Sequence, residues 1–133
     1  MLHKKLQHLE ANVAELEKFR KQNPLEAVKS DTGKEWALRY GLLESIQIVI
    51  DISCHLVVDK NLGNADTYSE CIELLGEFDY IDKNLVKILT GMAGLRNLLV
   101  HEYVDIDLSR LYQMLDRLSH FSRFVEAVRI KTD

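Results

Sequence analysis

At 133 residues, 47% of them hydrophobic and 29% charged, the chain is sized for one soluble domain with a modest core. Its net charge of −4 argues against gripping long nucleic acid by its backbone, which takes a basic surface, so any RNA must be met at a small local site. No apolar run approaches the roughly 20 residues of a bilayer span, and Met1 is followed by His3, Lys4 and Lys5 and then by an amphipathic stretch, which is not a secretory signal; a cytoplasmic protein with no membrane partner is expected.

Leu2, Leu6, Leu9, Val13, Leu16 and Phe19 recur at three- and four-residue steps, one apolar stripe of a first helix. Asn23-Pro24 ends it, because the residue before a proline is pushed out of the helical region. Ser30, Asp31 and Thr32 are start signals for a second, long helix. Its stripe is Trp36, Tyr40, Leu43, Ile46, Ile50, Cys54 and Val57, and Asn61-Leu62-Gly63-Asn64 stops it just past Lys60. Thr67 caps a short third helix ending near Phe78, with Tyr68, Cys71, Ile72 and Leu75 facing inward. Asp82 precedes a fourth, carrying Leu85, Ile88, Leu89, Met92, Leu95 and Leu99. Asp105 or Asp107 starts a fifth, with Leu108, Leu111, Leu115, Leu118, Phe121, Val125 and Val128 as its stripe. No segment alternates as a strand does, and no repeat or linker divides the chain. The expectation is an all-α, up-and-down bundle of four long helices plus one short helix, a single domain over residues 1–133.

The fourth helix is unusual. Glycine in a helix interior costs about 1 kcal/mol relative to alanine. Gly91 and Gly94 therefore mark a close approach of another helix backbone, inside the bundle or across a dimer interface. Cys54 and Cys71 lack a C-x-x-C pattern and read as buried reduced thiols. The segment 61–82 holds Asp66, Glu70, Glu73, Glu77, Asp79 and Asp82 and no lysine or arginine. It reads as a solvated face, or as a docking surface for a basic partner. Arg117, Arg123, Arg129 and Lys131 make the last helix basic, either as scattered surface cations or as a guide for RNA.

The run Arg96-Asn97-Leu98-Leu99-Val100-His101-Glu102-Tyr103 carries the chemistry. Arginine brings a fixed charge and a fork of donors suited to phosphate. Histidine changes protonation near neutral pH and can move a proton. On an ideal helix Arg96 and His101 lie roughly 140° apart, whereas Asn97 and His101 share a face, so Asn97 can orient the imidazole. Arg96 and His101 meet on one phosphate only if the helix unwinds near His101 or if two copies of the chain build the site together.

Four features in order make the chain resemble a HEPN-superfamily protein of the HepT toxin type. They are Ile50-Asp51-Ile52-Ser53-Cys54-His55 in the long helix, Leu62-Gly63 followed by Tyr68-Ser69-Glu70, Gly91-Met92-Ala93-Gly94 leading into Arg96-Asn97, and His101-Glu102-Tyr103-Val104-Asp105-Ile106-Asp107. The likeness runs from about Met1 to Ile130. It implies a metal-independent ribonuclease toxin that works as a homodimer, with paired motifs meeting in a groove. The family's arginine and histidine map onto Arg96 and His101, and its polar residue after the arginine onto Asn97. The resemblance further implies a minimal nucleotidyltransferase antitoxin as partner, which adds AMP to the motif tyrosine, here Tyr103. His101 would then be general base or acid, Arg96 would offset phosphate charge, and RNA would be cut by attack of its own 2′-hydroxyl. No cofactor is expected.

Two other readings compete. Asp51 and His55, four apart on one helix face, offer two metal ligands, too few unless His101 joins from another helix. Read as an ordinary polar pair, they place no metal, and Asp51 lines the groove as a supporting residue beside Arg96 or His101. His3, His8 and His120 are read as solvated or partly packed. The second function class is a non-catalytic nucleotide- or partner-binding subunit of a nucleotidyltransferase complex, in which Arg96 and His101 hold a phosphate without cleaving it.

Overall fold

Asp31, Thr67, Asp82 and Asp107 each accept a hydrogen bond from a backbone N–H in the first turn of the helix that follows them, which satisfies donors that a helix start leaves open. These four starts, expected from the sequence, are therefore observed. The computed structural model describes residues 2–101 and 106–132. Its helices are α1 Leu2–Gln22, α2 Leu25–Lys29, α3 Thr32–Asp59, α4 Tyr68–Glu77, α5 Lys83–Val100, α6 Leu108–Gln113 and α7 Ser119–Thr132, with a 3₁₀ turn at Met114–Arg117 between the last two. No strand occurs among the described residues. The architecture is all-α, as expected.

The long helix α3 is the axis of the bundle, packed by α1 and α2 on one side and by α4 and α5 on the other. Leu38, Leu42, Ser45, Val49, Ile52 and Leu56 are buried along it at steps of three and four, and Ile46, Ile50 and Val57 form a second buried line. Its two buried serines donate to the carbonyl one turn back, Ser45 to Gly41 at 2.7 Å and Ser53 to Val49 at 2.8 Å, so no polar group is stranded there. By length and composition α3 would pass as a membrane span, contrary to the sequence expectation, yet more than half of that stretch is buried inside the bundle. Such a helix, apolar on more than one face, is what a bundle centre requires.

Several expectations are corrected. Trp36 and Tyr40 are 67% and 65% exposed, because α3 has apolar residues on more than one face and the packed line is the one through Leu38 and Leu42. Tyr68 is exposed as well, at the first turn of α4. Pro24 ends α1 but also starts the short α2, whose first turn its fixed φ suits. The fifth helix is broken. Leu115, Leu118 and Phe121 follow one another at steps of three, which an α-helix would rotate out of the core but a 3₁₀ turn keeps on one face. Cys54 and Cys71 are joined in a disulfide between α3 and α4, Cα atoms 5.0 Å apart; antiparallel neighbours bring together two cysteines whose spacing of 17 showed no pairing.

Two glycines sit where helices touch. A Cβ at Gly41 would lie 2.8 Å from Leu16 Cδ2, and one at Gly76 would lie 2.5 Å from Val86 Cγ2. Leucine can swing its end away, whereas valine is stiff. Gly76→Ala is expected to lower stability. Alanine gains about 1 kcal/mol of helix propensity but loses about 1–3 kcal/mol to overpacking of α4 on α5. Urea unfolding reads this directly; an unchanged or raised midpoint would show that the two helices are not packed as described.

Polar contacts tie the ends. Glu44 of α3 accepts from Asn12 at 2.8 Å and from Tyr40, and faces His8 Nε2 at 2.8 Å. The Tyr40 hydrogen bond, then that of Asn12, holds its carboxyl below the ordinary range. Asp82 faces Arg123 at 3.2 Å, and both Glu10 oxygens accept from Arg129, at 2.7 and 2.8 Å.

Candidate active site

Leu89, Met92 and Ala93 form the buried face of α5, and Arg96 lies one turn further along the same face. The register of the helix therefore aims this arginine at α3 rather than at solvent. Its Nε donates to Gln47 Oε1 at 2.9 Å. Its Nη1 donates to Asn97 Oδ1 at 3.3 Å. Its guanidinium carbon stands 5.2 Å from the centre of the Tyr68 ring, a cation–π contact. The group is thus gripped by one edge, one corner and one face.

Gln47 and Asp51 are four apart on α3, and Gln47 Nε2 donates to Asp51 Oδ1 at 2.8 Å. The other Asp51 oxygen lies 3.8 Å from Lys5 Nζ of α1. Asp51 has no direct bond to Arg96: Gln47 stands between the two and bonds both. Among the described residues no three potential metal ligands gather.

The helix α5 ends at Val100, and His101 is its C-cap in extended backbone, φ −87° and ψ 94°. The backbone leaves the helix at the histidine, so the 140° separation of an ideal helix does not hold there. The His101 N–H donates to the Asn97 carbonyl at 3.3 Å, and the imidazole is exposed. The Asn97 side chain bonds Arg96, so its link to His101 is through the backbone. Tyr103, the expected modification site, lies outside the described residues, as do Glu102, Val104 and Asp105.

Gln47 and Tyr68 were missed as site residues. The available signal for Gln47 was its i,i+4 spacing to Asp51; for Tyr68, its place one turn before Cys71 at the start of a capped helix. Several other charged candidates have partners of their own. Arg123 and Arg129 are committed to Asp82 and Glu10, and Lys131 lies over the Tyr80 ring. In the acidic segment, Glu70 accepts from the Asp66 N–H while its own N–H bonds Thr67, a capping arrangement. Burial first, then the charges of Arg123 and Arg117, holds the His120 imidazole below its ordinary range, so it is not a ready cation.

On the other side of α5 a groove of about 830 Å³ runs against α6, lined by Ile88, Gly91, Leu95, Ile106, Arg110 and Arg117 among others. A Cβ at Gly91 or Gly94 would meet nothing within 4 Å. Among the described residues, then, neither glycine answers to a close contact within the bundle. Leu98 and Val100 are exposed on the following turns.

Comparison with known proteins places the family and the fold. A family model described as ribonuclease HepT-like matches residues 9–128. A protein of Archaeoglobus fulgidus, named as a candidate RNase, is 39% identical over 98 residues, 71% of this chain and 74% of its own length. The mRNA nuclease HepT of Shewanella oneidensis is 26% identical, over 76% of this chain and 77% of its own. In fold, the chain resembles the tri-AMPylated HEPN toxin of Shewanella oneidensis, solved in complex with an MNT antitoxin, with a TM-score of 0.88 and 21% identity over 97% of this chain and 96% of that one.

Proposed function

The chain belongs to the HepT-like ribonuclease family, and on that premise we propose that Arg96 and His101 are its catalytic residues. The protein is a ribonuclease, which favours the catalytic reading over the non-catalytic one, and the structural neighbour, a toxin solved with its antitoxin, supports reading this chain as the toxin of such a pair. The observation that carries the site is the held guanidinium. Gln47, Asn97 and Tyr68 occupy part of Arg96 and leave donors for a phosphate, and His101 caps the same helix five residues on.

The reaction needs no group from outside the RNA but a proton acceptor and a proton donor. The 2′-hydroxyl loses its proton and its oxygen attacks the adjacent phosphorus. The bond from phosphorus to the 5′-oxygen breaks, and that oxygen takes up a proton. His101 serves one of the two proton roles. Arg96 offsets the charge that builds on the phosphate oxygens. The products are a 2′,3′-cyclic phosphate and a 5′-hydroxyl, formed without a metal. The test is cleavage of RNA by purified protein in EDTA, with analysis of the new ends. A 3′-hydroxyl and 5′-phosphate, or activity that vanishes in EDTA, overturns the mechanism.

The working unit is a homodimer of this single helical domain, with a second His101 able to take the opposite proton role. The exposed end of α5 supports this: Gly91 and Gly94 face open space, and Leu98 and Val100 are uncovered. Light scattering at micromolar concentration is expected to give twice the chain mass. At Gly91 and Gly94 an added Cβ meets nothing within 4 Å, so Gly91→Trp and Gly94→Trp are expected to keep the helical content and shift the mass toward monomer. A monomeric wild type that still cleaves RNA would rule out the shared site.

The partner is a minimal nucleotidyltransferase antitoxin, and both act in the cytoplasm. The structural neighbour's AMPylated state and bound MNT antitoxin support carrying the same control to this chain, at Tyr103.

A further inference from the structure

We propose that Gln47 is a positioning residue of the ribonuclease, which sets the direction in which Arg96 presents its charge. The inference rests on Arg96 being the phosphate-binding group.

The donor pattern leaves the Gln47 amide one orientation. Guanidinium and ammonium only donate, and an ionised carboxylate only accepts. Asp51 sits between Lys5 and Gln47, so Gln47 must turn its nitrogen to Asp51 and its oxygen to Arg96. The hydrogen bonds at 2.8 and 2.9 Å have that sense. Lys5, Asp51, Gln47 and Arg96 therefore form one directed chain from α1 through α3 to α5.

This chain has a consequence for the arginine. A guanidinium has five N–H donors. Gln47 takes the one on Nε and Asn97 takes one on Nη1. The remaining donors are at the far end of the group, and the Tyr68 ring lies 5.2 Å from its central carbon. A long, flexible side chain is thereby set before substrate arrives, which removes a reorganisation cost from the chemical step. A carboxylate at position 47 could hold the same Nε but would neutralise the charge the phosphate needs. A neutral amide orients without cancelling. Asp51 then acts on catalysis through Gln47, not by touching Arg96.

The test is a cycle of Gln47→Met and Arg96→Lys, each alone and together. Methionine keeps the length of the side chain and loses both hydrogen bonds. Steady-state cleavage of a labelled RNA transcript that the wild type cuts is measured across substrate concentration, alongside thermal unfolding. Gln47→Met is expected to lower kcat about tenfold, the scale of one hydrogen bond to a charged group. KM should move little and the unfolding midpoint should stay near that of the wild type. Lysine has no Nε–H edge for Gln47 to hold, so Gln47→Met should cost almost nothing further in the Arg96→Lys background. Gln47→Ala, in a helix that alanine favours, repeats the measurement if the methionine variant folds poorly. Wild-type kcat in both Gln47 variants overturns the inference, as does an equal loss in both Arg96 backgrounds. If Arg96→Lys itself cleaves as fast as the wild type, the reading of Arg96 fails first, and that outcome is distinct from a silent Gln47.

Discussion

His101→Ala and Arg96→Ala are expected to abolish detectable RNA cleavage and relieve growth inhibition, while the purified variants keep their helical content and their mass in solution. The magnitudes follow from the roles. A positioned general acid or base contributes about 10²–10⁴-fold, and one preorganised donor at a developing negative charge about 10²–10³-fold. Neither substitution threatens the core. His101 is exposed at the end of α5, and truncating it opens no cavity. Arg96 is half-buried, yet its partner Gln47 keeps its bond to Asp51 when the guanidinium is gone. Destabilisation on the scale of a large core deletion is therefore not expected. Growth arrest on induction, and cleavage by purified protein in EDTA, are the two measurements. Full activity in either folded variant removes that residue from the site.

Tyr103→Phe separates cleavage from control. The variant keeps the ring and loses only the oxygen, so at least partial ribonuclease activity is expected. With the nucleotidyltransferase, ATP and magnesium, the wild type should gain one or more AMP groups on the peptide containing Tyr103. In the first transfer the tyrosine oxygen attacks the α-phosphorus of ATP, pyrophosphate leaves and the hydroxyl proton is lost; any later transfer on the same side chain must use a hydroxyl of the AMP already attached, again with loss of a proton and of pyrophosphate. Each group adds about one negative charge and the bulk of a nucleoside. Tyr103 follows His101 by two residues, so that charge would be offered to Arg96 in place of RNA phosphate. Inhibition then comes from charge competition and steric block, without unfolding. Tyr103→Phe should escape it entirely, and cells carrying it should stay inhibited when the antitoxin is co-expressed. Additions that map to another residue, or a Tyr103→Phe protein silenced as readily as the wild type, would end the assignment.

The parts of the fold that were legible in the sequence share one physical basis: they are local. Asp31, Thr67, Asp82 and Asp107 start helices because a short side-chain oxygen meets an open backbone N–H three or fewer residues away. The stripe of α1 was read correctly because only one of its faces is apolar. The stripe of α3 was misread at Trp36 and Tyr40 because that helix carries apolar residues on more than one face. Periodicity then fixes no phase, and only the neighbouring helices choose the packed line. The 3₁₀ turn at Met114–Arg117 was written in the spacing of Leu115, Leu118 and Phe121, but two successive three-residue steps look like an ordinary helix until the core is known.

The candidate site divides in the same way. By itself the sequence determined an all-helical chain, the residue types Arg96, Asn97, His101 and Tyr103, and through them the family, because those features are carried by contiguous residues. Only the tertiary structure decided what holds the arginine. Gln47 and Arg96 are 49 residues apart, and Tyr68 comes from a third helix. Cys54 and Cys71, likewise, met only when α4 folded back along α3. Contacts of this kind depend on the rotation and axial placement of one helix against another. Those are set by the packing of buried residues such as Leu89, Met92 and Ile46, and spacing along the chain carries no measure of them.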